Sequence, residues 1–280
     1  MKAQIINALM VTINQHPEII PYLTGRAAKL AQIDADVMHN VKKLERDPRE
    51  PGIERKQKFE RKIKALMIRV FDRQAQVTHV QLSTRFPAKA VPDIDVSWTD
   101  DETEELVSLY MEMMADGIDL FDDETKIDGV DYTFANIEAH KFVKDYTFEL
   151  IRGIDKTTRE ALRQALTTFI DVPGTTIGDI MAVLPYSAER ALRVAVTEVT
   201  RAYGEAAKIA GDELQKQFPD IKFYKTWFTN VDEHVCDLCQ ELDNTTIPLD
   251  QPFADDVQNP PRHVGCRCWI NTISEMGLVE

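Results

Sequence analysis

The chain has 280 residues, 44% of them hydrophobic and 29% charged, with a net charge of −14. That length provides one large domain or two ordinary ones with ample core, at the apolar content of a soluble globular protein. No apolar run reaches the ~18 residues of a membrane span. The opening stretch, interrupted at Asn7, Asn14 and Gln15, lacks a signal peptide's apolar core and cleavage site. Folding in a cytoplasm, away from any membrane, is the expectation.

The charge is unevenly placed. Residues 1–90 carry 17 Lys/Arg against 9 Asp/Glu, whereas the remainder is strongly acidic. Such asymmetry points to two regions with different partners. An acidic body repels DNA, while a basic arm is able to touch it.

In chain order, residues 1–85 read as helical. Residues 27–44 have few breakers, and Pro48, Pro51 and Gly52 then interrupt. Over 54–79, Phe59, Ile63, Leu66, Met67 and Val70 recur at helical spacing and form one apolar face. Arg55, Lys56, Lys58, Arg61, Lys62 and Lys64 crowd the rest, as a solvated basic side or as a nucleic-acid-facing one. Residues 86–99, with Pro87 and Pro92, read as a linker or extended arm. A helix over 100–121 starts at an N-cap, Thr99 or Asp100, with Asp101, Glu102, Glu104 and Glu105 where the helix dipole favours negative charge. Residues 119–131 read as an acidic loop without a calcium-loop pattern.

A helix over 134–151, with Ile137, Phe142, Tyr146 and Leu150 on its apolar side, is expected to end at Gly153 in a left-handed C-cap. Asp155 would cap the next helix, to about residue 170. After Pro173-Gly174, Thr175 or Thr176 caps a short helix that ends before Pro185. Residues 187–217 form the longest regular segment of the second half. Leu192, Val196, Val199, Tyr203, Ala206 and Ala210 mark its buried stripe, and Ala202, Gly204, Ala206, Ala207, Ala210 and Gly211 permit close helix packing. Short β-like runs follow at 222–228, 245–249 and 266–273. Leu242-Asp243-Asn244-Thr245-Thr246 reads as a hairpin turn, because Asn tolerates positive φ.

The chain's four cysteines all lie near its end: Cys236-Asp-Leu-Cys239, then Pro260-Pro261-Arg262-His263-Val-Gly-Cys266-Arg267-Cys268. Two cysteines three apart, answered by His-x-x-Cys-x-Cys, is an arrangement that builds a tetrahedral zinc site. Cys236, Cys239, His263, Cys266 and Cys268 are five candidates for four places. A strand would put Cys266 and Cys268 on one face, with Arg267 turned away toward an acid such as Asp232 or Asp243. His234 is either a spare ligand or an exposed loop residue. Disulfides, or a redox pair at Cys236/Cys239, are the rival readings, although no thioredoxin-like βαβ pattern surrounds that pair. Glu198 and Arg201 are spaced to pair on one helix. There is no Gly-rich phosphate loop, His-Glu-x-x-His or nucleophile elbow, so no enzyme activity is expected.

The fold class expected is mainly α: a helical N-terminal body, then a small α+β module closed by zinc. Its divisions are a basic helical region over 1–90, an acidic linker and helix over 91–131, and a final domain over 132–280.

Four features of that last region resemble the phage Mu F-like minor head proteins, the phage head morphogenesis family. They are Leu150-Ile-Arg-Gly153-Ile154-Asp155-Lys-Thr-Thr158-Arg159-Glu-Ala-Leu162; Arg190-Ala191 followed by Thr197-Glu198-Val199-Thr200-Arg201-Ala202-Tyr203; Trp227 before Asp232-Glu233-His234-Val235-Cys236-x-x-Cys239-x-x-Leu242-Asp243; and the terminal Pro260-Pro261-Arg262-His263-x-x-Cys266-Arg267-Cys268. The pattern departs at Gly204, where the family often has Asn, at Asn244 for Gly, and at Val264-Gly265 for Pro-Asn. Thr197, Glu198, Arg201 and Trp227 are then structural signature residues. The resemblance implies a low-copy structural protein of the virion head that joins the portal vertex during assembly. Implied partners are the portal protein, a major capsid or scaffolding protein, and packaged DNA through the basic N-terminal helices. The alternative is an effector enzyme carried in the head, ADP-ribosyl-transferring or nucleotide-handling.

Overall fold

The structure, a computed structural model, describes residues 46–85, 94–170, 176–230, 232 and 235–275. Expectations placed on 1–45, 86–93, 171–175 and His234 fall outside these residues.

Helix α1, Ile53–Arg85, starts just after Gly52, whose φ of +65° suits glycine. Phe59, Ile63, Leu66, Met67 and Val70 are all buried, as their spacing requires. Helix α2, Asp100–Thr125, has Thr99 as N-cap. The Thr99 hydroxyl accepts from the Glu102 N–H, and the Glu102 carboxylate accepts from the Thr99 N–H. The helix runs beyond residue 121, so the expected acidic loop begins only at Lys126. Met113, Met114, Gly117, Ile118 and Phe121 carry a buried stripe through that stretch, which holds it helical.

Part of the charge asymmetry is paired among the described residues. Cations of α1 meet acids of α2: Arg55 with Asp123 at 3.4 Å, Lys62 with Glu112 at 2.6 Å, Arg69 with Glu105, and Arg73 with Glu102 at 2.7 Å. Each exposed pair contributes only ~0–1 kcal/mol.

Helix α3, Thr133–Ile170, is continuous, and this corrects the expected break. Gly153 is an interior helix residue and Asp155 caps nothing. Ala135, Ala139, Val143, Thr147, Ile154, Thr158 and Leu162 form one buried stripe on both sides of Gly153. Packing along that stripe outweighs the ~1 kcal/mol that an interior glycine costs. Ile137 is also corrected: it is exposed, while Phe142, Tyr146 and Leu150 are half-buried.

Helix α4, Ile177–Ala182, is capped by Thr176, whose hydroxyl accepts from the Asp179 N–H. Helix α5, Ala188–Gln217, is capped by Ser187. It is the central element, packed by α1, α2 and α3, with Val196, Val199, Tyr203, Ala206 and Ala210 buried and Leu192 only half-buried. Its small residues do allow close approach: a Cβ on Gly117 of α2 would stand 2.6 Å from the Ala206 Cβ.

A three-stranded antiparallel sheet follows, in the order β2-β1-β3. The strands are β1, Phe223–Phe228, β2, Thr246–Pro248, and β3, Trp269–Ser274. Asn244 has the positive φ expected (58°). The turn it makes leads from α6, Asp237–Gln240, into β2, so β1 and β2 are not a tight hairpin. Cys266 and Cys268 precede β3 rather than lying in it.

One core joins α1, α2, α3 and α5 with Phe223 and Leu249 of the sheet region. A second gathers Leu82, Ile94, Val96, Leu162, Leu166 and Ile180, so residues 94–96 are a packed extended arm. A third lies in the sheet module around Trp227. Among the described residues, no helix is long and apolar enough to cross a membrane.

Candidate metal centre

The turn Cys236-Asp-Leu-Cys239 wraps the start of α6. Cys236 is its N-cap, and the Cys236 sulfur accepts the Cys239 N–H at 3.4 Å. The second arm passes through Pro260 and Pro261 to His263, then turns at Gly265, where φ is +79°. The Cys266 N–H donates to the His263 carbonyl at 3.2 Å. These two arms bring together all five donors anticipated from their spacing.

His263 Nε2 lies 3.1 Å from Cys236 Sγ and 3.3 Å from Cys239 Sγ. Cys239 Sγ lies 3.9 Å from Cys266 Sγ. Two triads result, Cys236/Cys239/His263 and Cys239/Cys266/Cys268, which share Cys239 and each span no more than 4.8 Å between donor atoms. A metal with ~2.3 Å bonds to sulfur in tetrahedral geometry puts its sulfurs ~3.8 Å apart, so these separations suit such an ion. The imidazole is oriented for it: Nδ1 donates to the Val264 carbonyl at 3.0 Å, which leaves the Nε2 lone pair toward the sulfurs. All four cysteines are free thiols, and Cys239, Cys266 and Cys268 are buried. Hydrogen bonds from Cys239 and Cys268 hold the Cys266 thiol well below its ordinary range, while the same contacts push the partner thiols up. Thiols and an imidazole at these separations form a group that could hold a metal ion.

Trp227 lies beneath the cluster with no exposure, packed with Cys239, Leu242, Phe253, Cys266 and Cys268 and edge-on to Phe253. Arg267 points away from the sulfurs and forms a two-pronged pair with Asp232, at 2.7 and 3.0 Å. Asp243 instead accepts from the Thr229 N–H and hydroxyl.

The signature on α5 serves both of its sides. Toward the metal arm, the Thr197 hydroxyl accepts the Gly265 N–H at 2.8 Å, and the Thr200 hydroxyl donates to the Cys266 carbonyl at 3.0 Å. Gly204 makes room for the arm, since any Cβ there would run into the Pro260 carbonyl. The Asn259 amide occupies the same neighbourhood. On the opposite side, the fully buried Glu198 accepts from the hydroxyls of Tyr110 and, at 2.7 Å, Tyr146. Arg201 Nε stands 3.7 Å from it. Burial pushes the Glu198 carboxyl up, against the two tyrosines and Arg201, which favour its charge. The expected Glu198–Arg201 pair thus exists, but its carboxylate lies in the core between α2, α3 and α5.

Another pair of motifs also meets. Arg190 donates to the Thr157 and Thr158 hydroxyls at 2.8 and 2.9 Å and to the Ile154 carbonyl at 3.3 Å. The spacing of motifs did not reveal Tyr110 and Tyr146 as the partners of Glu198. Gly204 was the visible hint of a close approach.

These features define a structural class: a helical scaffold whose central helix grips a Cys/His cluster able to hold a metal. Residues 140–271 match the family model described as Phage Mu protein F like protein, so the chain carries a domain of that family. The four motifs lie in or directly beside that domain. No curated protein and no solved structure matches the chain.

Proposed function

We propose that this protein is a structural minor head protein of a tailed phage or prophage. It docks at the portal vertex or inner capsid and assists head assembly, DNA packaging or ejection. The observation that carries this reading is the Mu F-like domain over 140–271. Its signature residues are engaged in holding the scaffold together. Thr197 and Thr200 hold the metal arm, Arg190 holds α3, and Glu198 is sealed between helices. The buried Glu198, hydrogen-bonded to two tyrosines, supports a structural role for this signature.

The metal in this reading is structural zinc, held by four of Cys236, Cys239, His263, Cys266 and Cys268. Soft thiolates and an imidazole at tetrahedral separations favour zinc, and full enclosure by protein donors is the structural rather than catalytic pattern.

Cross-linking mass spectrometry on particles, made by cells expressing this chain with its neighbouring head genes, tests the assignment. Cross-links to the portal protein at a few copies per particle are expected. A chain absent from purified particles overturns the head-protein reading and turns attention to the effector-enzyme alternative.

A further inference from the structure

Arg46 is the first described residue, and its guanidinium is completely buried. It donates to Glu50 at 2.7 and 3.0 Å, to Glu60 at 2.6 Å, and to the Thr200 hydroxyl at 2.9 Å. Lys56, also buried, completes the group by donating to Glu50 at 2.9 Å. Two cations and two carboxylates are therefore enclosed together. Such a group is stable only while every member keeps its partners, because a buried charge left unpaired costs several kcal/mol.

Thr200 is the point where this group meets the metal arm. Its oxygen accepts from Arg46 and its proton goes to the Cys266 carbonyl. A hydroxyl can do both at once, and few other side chains of that size can. A small cavity of about 40 Å³ lies at the same junction, with Glu50, Lys56 and Glu124 on one side and Thr200, Pro260 and Cys268 on the other. The two systems thus share a wall as well as a hydrogen bond.

We propose that metal binding at the Cys/His cluster and the seating of residues 46–60 are conformationally linked through Thr200. This inference rests on the metal reading above. A metal converges the two cysteine arms, since unconstrained donors have no reason to hold that geometry. The converged arm presents the Cys266 carbonyl, which fixes the Thr200 hydroxyl with its lone pairs toward Arg46. Loss of the metal frees the carbonyl, lets the hydroxyl turn, and weakens the contact that completes the buried charge group. The domain then loosens at residues 46–60, far from the sulfurs in sequence.

Hydrogen–deuterium exchange on the full chain, zinc-loaded and zinc-stripped, reads this directly, with native mass spectrometry reporting zinc stoichiometry. Stripping is expected to speed exchange at 236–268, and by about tenfold at 46–60, the equivalent of one lost charge-assisted hydrogen bond. Exchange over 154–166 of α3 should stay unchanged. In Thr200→Val the zinc response at 46–60 should disappear while that at 236–268 persists, and Thr200→Ser should restore it. Zinc bound in full with no response at 46–60 in the unsubstituted chain overturns the linkage and leaves the metal reading intact. A response spread equally over 154–166 also overturns it, because that is global unfolding. A chain that binds no zinc overturns both.

Discussion

The Thr197 hydroxyl accepts the Gly265 N–H at 2.8 Å while it donates to the Arg193 carbonyl one turn back along its helix. A helical residue thereby becomes the anchor of the turn that delivers Cys266. Thr197→Val keeps the shape and removes the acceptor, leaving a largely enclosed N–H without a partner. The expected cost is about 1–2 kcal/mol. A lowered denaturation midpoint together with faster zinc loss to a chelator is the result to look for. An unchanged rate of zinc loss would remove Thr197 from any role in placing the arm.

Metal removal should be visible from within the third core. Trp227 is fully buried against Cys239, Cys266 and Cys268. Chelation of the zinc-loaded protein should shift tryptophan fluorescence to the red and make all four thiols reactive. The signal should return when zinc is restored, because donors that converge only in the folded state couple metal binding to folding. Unchanged fluorescence after verified metal removal would show that the sheet holds without it.

Glu198 offers a sharp stability test. Glu198→Ala leaves the hydroxyls of Tyr110 and Tyr146 without their shared acceptor and should cost about 3 kcal/mol. Glu198→Gln retains an acceptor oxygen and should cost much less. Urea denaturation of the three proteins separates these outcomes. Equal losses would mean that charge, rather than hydrogen bonding, is what the site requires.

Glu124 predicts a pH dependence. Burial pushes its carboxyl up to about 7 from an ordinary 4.5, with Lys56 opposing. The folded chain therefore keeps a proton that the unfolded chain releases between those values. Its contribution to stability is complete below about 4.5, falls as pH rises toward 7, and is flat above. Comparing denaturation midpoints of the unsubstituted protein and Glu124→Gln from pH 4.5 to 8 isolates the effect. The difference between them should grow with pH in favour of the Gln variant. A constant difference would rule the titration out.

Close approach at Gly204 gives a steric test. Gly204→Ala sets a Cβ against the Pro260 carbonyl and the Asn259 amide. Overpacking of this kind should cost about 2 kcal/mol, felt mainly by the arm that carries His263. Thermal denaturation of the zinc-loaded form checks this. If the Ala variant matches the unsubstituted protein, the arm is free to shift.

Much of the fold is legible along the chain, because it depends on neighbours within a few residues. Thr99, Thr176 and Ser187 cap helices where their hydroxyls meet an N–H three residues ahead. The apolar spacing from Phe59 to Val70 marks a buried face without knowledge of what covers it. The five candidate metal donors declare themselves by type and spacing, whereas Arg267 turns away to Asp232 in a segment that precedes β3, so strand alternation does not account for it. Tertiary structure alone decided the rest. Gly153 reads as a helix end, yet the stripe packed on both sides of it carries α3 through. The basic face of α1 reads as either a solvated or a nucleic-acid-facing side, and only the folded chain brings acids 29 to 68 residues away to several of its cations. Nothing in the local sequence names a partner for Arg46, and Thr200, 154 residues on, receives it. Local hydrogen bonding and periodicity are set by adjacent residues and so are written in order along the chain. The partner of a buried charge or a helix face is set by which distant segments share a core, and that is determined only when the chain has closed upon itself.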